Sequence, residues 1–465
     1  MRVLSPTAIL GYGYPLESFE AGLAVDPDLI AVDAGSTDPG PYYLGAGVSF
    51  TDRAAVLRDL RPLLRAARAR GIPLLIGTGG GSGAANHLQW CGEILREAAA
   101  LEGVTARLAT IPADIPKEFV REKMRRGLIR PLGPAPPLGE DDLAATTAIV
   151  AQMGMAPFQK ALAGGAEVVL AGRAYDPAPF AALPVQAGLP VGLAVHMGKI
   201  LECAAIAASP GSGSDCMLAA LERDGFIVEP TNKARRCTIT SVAAHTLYEK
   251  SDPTHLPGPD GVLDLSDCHF EAVSSGAVRV TGSRFVPAAE PWLKLEGARR
   301  IGCRTIAVAG VRDPIMIRAM EEVTAGVKQR TADNFRDLAA EDYALRFIVY
   351  GRDGVMAELE PERGTAGHEL GIIIEVVARS QAQADTICSF ARSTMLHFGY
   401  QGRKATAGNL AFPFSPSDFH GGPVYRFSLH HLMLVEPGDD LFQPEFSDLG
   451  QPNSPPRSPS LCAVK

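Results

Sequence analysis

Three short polar loops, each following an apolar run, hold the residues best suited to chemistry. They are Asp33-Ala34-Gly35-Ser36-Thr37, Gly77-Thr78-Gly79-Gly80-Gly81-Ser82-Gly83 and Gly172-Arg173-Ala174-Tyr175-Asp176. The middle loop has five glycines in seven residues. Such a backbone is uncovered and can turn its amides toward an anion, or it serves only as a tight structural turn. Gly79, Gly80, Gly81 and Ser82 are therefore read as ligand-binding positions. Asp33 closes an apolar run, where a carboxylate is costly unless partnered. Asp33 and Asp176 are candidate acids or bases. Arg173 has the forked geometry that grips a carboxylate, or it pairs with Asp176 inside its own loop. Ser36 and Thr37 offer hydroxyls to a ligand, or cap their loop.

Further candidates lie later in the chain. His245 and Glu249 stand four apart, and on a helix they would share one face. They would serve as a base with its orienter, or as two metal ligands. One His and one Glu are a thin ligand set, so no metal site is assigned. Glu202 and Glu296 are additional acids, and Arg312 is another anion contact.

The glycine loop lacks the Walker spacing and its lysine. Gly79-x-Gly81-x-x-Ala84 matches the dinucleotide fingerprint, but no acidic residue closes the next predicted strand, Ala106–Ile111. NAD and flavin are disfavoured on that ground. A carboxylate, a phosphate or coenzyme A as part of a substrate fits better; a divalent cation is compatible but not indicated. No G-x-S-x-G elbow supports a serine hydrolase. The eight cysteines form no C-x-x-C pair, which speaks against zinc ribbons and thioredoxin chemistry.

The elements that must position these loops alternate between apolar strands and amphipathic helices. Strands are expected over 1–10, Leu29–Asp33, 74–76, Ala106–Ile111 and 167–170. A helix carrying Val56, Leu57, Leu60, Leu63, Leu64 and Ala67 precedes the strand at 74–76, which bears the second of the three loops. Residues 143–162 read as one helix, 237–242 as β-like, and 343–435 as β–β–α–β. The fold class is α/β: a parallel doubly wound sheet in the N-terminal part, a mixed α+β middle region and a C-terminal α+β domain. The expected domains are 1–226, 227–340 and 341–440. A disordered tail is expected over 441–465, rich in Pro and Ser from Gly450 on. In a parallel sheet the three loops would converge on one crevice at the carboxyl edge of the strands.

With 465 residues, 46% hydrophobic and 21% charged, the chain is large enough for two or three globular domains. A formal net charge of -8 argues against nucleic acid or an anionic membrane as partner. No apolar run is long enough to span a bilayer, and the first residues lack a signal-peptide layout. A cytoplasmic protein is expected.

Together these stretches resemble the acyclic terpene utilisation (AtuA-like) family. The resemblance rests on 33–45, 76–83, 171–176, Leu201-Glu202-Cys203, 244–249, Lys294-Leu295-Glu296-Gly297-Ala298, Gly310-Val311-Arg312-Asp313-Pro314 and 407–418. It covers roughly residues 5 to 435. It implies a bacterial catabolic protein, often associated with a small partner protein, in the degradation of citronellol-like terpenes through acyl-CoA intermediates or in pathways for small branched dicarboxylates. The reaction itself is read from the residues. An anion clamp, a base and an acid point to a lyase, a hydro-lyase acting on a small carboxylate or acyl-CoA. The rival readings are a non-catalytic scaffold subunit completed by its small partner, and an acyl-CoA hydrolase or C–C lyase. A homo- or hetero-oligomer is expected.

Overall fold

A computed structural model describes residues 1–450. The chain divides into two compact units, Met1–Ala298 with the stretch from Phe427 onward, and Arg299–Arg426.

The first unit is built on a ten-stranded sheet. Across it run His269–Ala272, Val278–Thr281, Phe226–Pro230, Met217–Leu221, Arg2–Ser5, Leu29–Asp33, Leu74–Gly77, Val168–Ala171, Ala106–Ile111 and Glu445–Leu449. The five strands from Arg2–Ser5 to Ala106–Ile111 are parallel. The strands added on either side are antiparallel. Alternate residues of the parallel strands enter separate cores. Leu29, Ala31, Leu75 and Val169 pack with helices Ala178–Gln186 and Val191–Leu201. Ile30, Val32, Leu74 and Val168 pack with helices Arg53–Arg70 and Ala85–Glu102. Burial on both faces is why these strands read as continuous apolar runs. Asp52 caps the first of those two helices, accepting from the Ala55 amide at 3.0 Å, and Gly71 ends it in the left-handed region.

Several sequence expectations are corrected. The stretch 143–162 is not one helix. Helix Glu140–Ala145 gives way to strand Thr146–Ala151, and helix Ala156–Ala163 follows. The β-branched residues Thr146, Thr147, Ile149 and Val150 favour the extended chain, and Gly154 and Pro157 separate the parts. The segment from Ile239 is helical, not β-like. Thr238 accepts from the Ser241 amide and Ser241 returns the bond to the Thr238 amide, a capping box that starts helix Ile239–Thr246. Residue 226 is not a boundary, because Met217–Leu221 and Phe226–Pro230 extend the main sheet. Nor is 340: the second unit runs on from Arg299 through it. Within the expected tail, Glu445–Leu449 forms a strand against Ala106–Ile111; residues 451–465 lie outside the described residues.

In the second unit, strand Leu370–Ala378 pairs on one side with Tyr343–Tyr350 and on the other with the end of the long strand Trp292–Val311. Helices Met320–Asn334 and Gln381–His397 cover this sheet through Val323, Val327, Ile387 and Ala391. No helix of the described residues is long and apolar enough to cross a membrane.

Candidate functional site

Leu29–Asp33, Leu74–Gly77 and Val168–Ala171 are adjacent parallel strands, so their following loops emerge side by side. The glycines set how closely these loops meet. A Cβ on Gly35 would lie 1.9 Å from the Gly81 carbonyl oxygen, and one on Gly83 would lie 2.3 Å from the Arg173 amide nitrogen. Part of the glycine loop's backbone is engaged within the fold. The amides of Thr78, Gly79 and Gly81 donate to the carbonyls of Gly172, Ala171 and Ala34 at 3.1, 2.7 and 3.2 Å. Residues 77–84 are all buried. Backbone donors without a helix or ladder partner must find one inside the fold, and here neighbouring loops supply it. Thr78, Gly79 and Gly81 thus tie the glycine loop to its two neighbours. The Ser82 hydroxyl has no hydrogen-bond partner among the described residues.

Arg173 is likewise occupied. Its Nε donates to Glu296 Oε2 at 2.7 Å, and its Nη1 to Asp176 Oδ1 at 3.2 Å and to the Ala174 carbonyl at 2.8 Å. The other Glu296 oxygen accepts from Thr37 Oγ1 at 2.6 Å and faces Lys294 Nζ at 2.7 Å. Burial opposes the Glu296 charge, but Arg173 and Lys294 outweigh it and hold the carboxyl at about 2. Glu296 is an ionised counterion, and Arg173 is a buried strut that aims Asp176. Thr37 belongs to this network.

A cavity of about 230 Å³ opens beside it, whose lining includes Asp33, Ser36, Asp38, Asp176, Glu202 and Glu249 together with Tyr12, Tyr248 and apolar neighbours. Asp33 Oδ1 accepts from the Ala34 amide at 2.9 Å. Burial, then the negative charges of Asp176 and Glu202, push its carboxyl well above the usual range. Glu202 follows helix Val191–Leu201 and takes a hydrogen bond from Lys199 one turn earlier. Burial raises Glu202 to about 8; Lys199 opposes this and Asp176 adds to it. Burial alone would lower Lys199, but Glu202 outweighs it and the net direction is up. Lys250 is lowered by burial and by Lys199, against the pull of Glu202, Asp176 and Glu249. A carboxyl raised to about 8 at Glu202, in one cavity with an aspartate held by arginine, is the arrangement that separates an acid from a base.

His245 and Glu249 do not share a helix face. The helix stops at Thr246, and Glu249 adopts a left-handed backbone with φ 60. Glu249 reaches the cavity wall. His245 is buried against Tyr248, rings stacked 5.4 Å apart, and its Nε2 has no hydrogen-bond partner among the described residues. Burial, then Lys199, lower its imidazole to about 4, so it is neutral near pH 7. Arg312 is not part of this cavity; it lies in the second unit and lines a cavity of that unit's residues. Lys199, Lys250, Tyr248 and Lys294 escaped the sequence reading. The Lys199–Glu202 spacing of three on a helix was the one local signal available. Among the described residues, no group of three or more His, Cys, Asp and Glu is disposed to hold a metal ion.

Comparison with known proteins bears on this geometry. Residues 52–414 match the family described as acyclic terpene utilisation family protein AtuA. No curated protein and no solved structure matches the chain. The match spans most of the sequence and includes the glycine loop, the Arg173–Asp176 loop, Glu202 and Glu296. The chain belongs to the acyclic terpene utilisation family, and that membership implies a role in acyclic terpene catabolism.

Proposed function

We propose that the chain is a hydro-lyase, removing water from or adding it to a small carboxylate or the acyl end of an acyl-CoA. The observation that carries this reading is the raised Glu202 carboxyl, at about 8, in one cavity with Asp176, which Arg173 holds at 3.2 Å. In dehydration, Asp176 takes the proton from the carbon beside the carboxyl or thioester carbonyl. The C–H electrons form the double bond, the C–O bond breaks, and Glu202 delivers its proton so that the hydroxyl leaves as water. Lys250 and Lys199, which act electrostatically on Glu202 and Asp176, supply the positive charge that would attract the substrate's negative end. Asp33, whose carboxyl burial and the charges of Asp176 and Glu202 push upward, lines the same cavity and would donate a hydrogen bond in its protonated form to the carbonyl where charge develops. A volume of about 230 Å³ lies below the usual range of ligand sites, about 300–1,000 Å³, and favours a compact acid or acyl group.

The test is turnover of unsaturated dicarboxylates and enoyl-CoAs, followed by loss of their ultraviolet absorbance, with the chain alone and with its small partner protein co-expressed. Asp176→Asn and Glu202→Gln should each lower kcat by about a hundredfold or more while the fold survives. Absence of turnover under both conditions would refute the reading, as would full activity in both variants.

A further inference from the structure

The second unit has its own concavity, of about 500 Å³, where two segments distant in sequence meet. One is Gly310 to Ile315, at the end of strand Trp292–Val311. The other is the loop from Tyr400 to Ala411. The two are tied by paired backbone bonds, Gly310 amide to Ala411 carbonyl at 2.8 Å and the reverse at 2.9 Å. Asn409 anchors the loop from behind, donating to the Met395 and Phe398 carbonyls at 2.9 and 2.8 Å.

The charges in this concavity are unbalanced. Arg312 and Lys404 line it, both are exposed, and neither side chain makes a hydrogen bond or ion pair with any described residue. Asp313 is the one acidic residue in the wall among the described residues, and both its oxygens are engaged. Oδ2 accepts from Tyr400 Oη at 2.6 Å and Oδ1 from the Ile315 amide at 3.0 Å. Arg403 is committed to Asn409 and the Ala407 carbonyl. Two cations therefore face one space whose wall holds Asp313 as its one acidic residue among the described residues, an excess of positive charge in a chain whose net charge is -8. A guanidinium offers a planar fork and an ammonium a point charge, a pairing that suits the tetrahedral oxygens of a phosphoryl dianion better than a single carboxylate. Thr406 lies in the same wall with a hydroxyl to donate, and Ile315, Pro314 and Leu410 supply an apolar side.

We propose that this concavity is a second ligand site, which binds the phosphoryl group of a small phosphorylated molecule through Arg312 and Lys404. It is separate from the carboxylate chemistry of the first unit and does not depend on it.

Calorimetric titration of the full chain with inorganic phosphate, ADP and malonate tests this. At least one phosphate compound should bind with a Kd below about 1 mM at low salt, more weakly as salt rises. Arg312→Ala and Lys404→Ala should each weaken that binding about tenfold or more, with thermal unfolding unchanged because both side chains are exposed. Tighter binding of ADP than of phosphate identifies an organic phosphate as the ligand; equal binding identifies the free anion, and both support the site. The proposal is overturned if no phosphate compound binds, if both variants bind like the parent, or if malonate binds as tightly as phosphate.

Discussion

Replacing Glu202 by Gln should change how stability depends on pH. In the folded chain this carboxyl sits at about 8, against an ordinary value of 4.5. Between these values the native state keeps a proton that the unfolded chain has lost. The stability this group contributes is therefore full below pH 4.5, falls as pH rises, and is gone once pH has passed about 8. The slope is about 1.4 kcal/mol per pH unit. From pH 6 to pH 8, allowing for rounding near the folded value, the parent loses about 2 kcal/mol that Glu202→Gln does not lose. With an unfolding entropy of about 2.1 cal/mol/K per residue over the roughly 330 residues of the first unit, this is a melting shift of about 3 °C. The Gln amide keeps an oxygen that accepts from Lys199, as Glu202 does. The assay is thermal unfolding of both proteins at several pH values in one ionic strength. Curves that stay parallel from pH 6 to pH 8 would refute the assignment of a protonated Glu202, and with it the acid in the proposed reaction.

Other consequences follow from the same geometry. Arg173→Ala strands the buried Glu296 charge and should destabilise the first unit by about 3–5 kcal/mol; thermal unfolding measures it, and a loss below about 1 kcal/mol would mean that Lys294 and Thr37 suffice. Gly83→Ala places a Cβ 2.3 Å from the Arg173 amide at φ +71 and should cost more than Gly103→Ala. The latter has φ +63 with nothing within 4 Å and should cost only the left-handed backbone penalty of about 1–2 kcal/mol; equal losses would show that the loops do not need their close approach. His245 sits at about 4, below the usual histidine value, so its contribution is present above pH 6.5 and lost as pH falls through about 4. Its imidazole should show the neutral nitrogen shifts by NMR at pH 6, and a charged ring there would contradict its burial.

The α/β core was legible because its signals are local. Uninterrupted apolar strands such as Leu29–Asp33, polar loops after them and amphipathic helices between them are patterns of neighbouring residues. Parallel strands then put the loops bearing Asp33, Gly77 and Arg173 at one edge. What the glycines do was not legible. Their composition suits an anion equally well, and only the carbonyls of Ala34, Ala171 and Gly172, brought up by other strands, show where the amides point. Arg173 looked available for a ligand because its partner Glu296 is 123 residues away. The His245–Glu249 spacing misled because the helix ends between them.

Residue order by itself thus determined the strand–loop–helix alternation, the family and most of the titratable side chains that face the cavity. The tertiary structure decided which of those groups are free and which are spent, and moved Arg312 to a separate concavity. The physical reason is that burial and charge pairing depend on distances between segments remote in the chain. Whether a carboxyl is held at about 2, as Glu296 is, or at about 8, as Glu202 is, is settled by its neighbours in space and not by those in sequence.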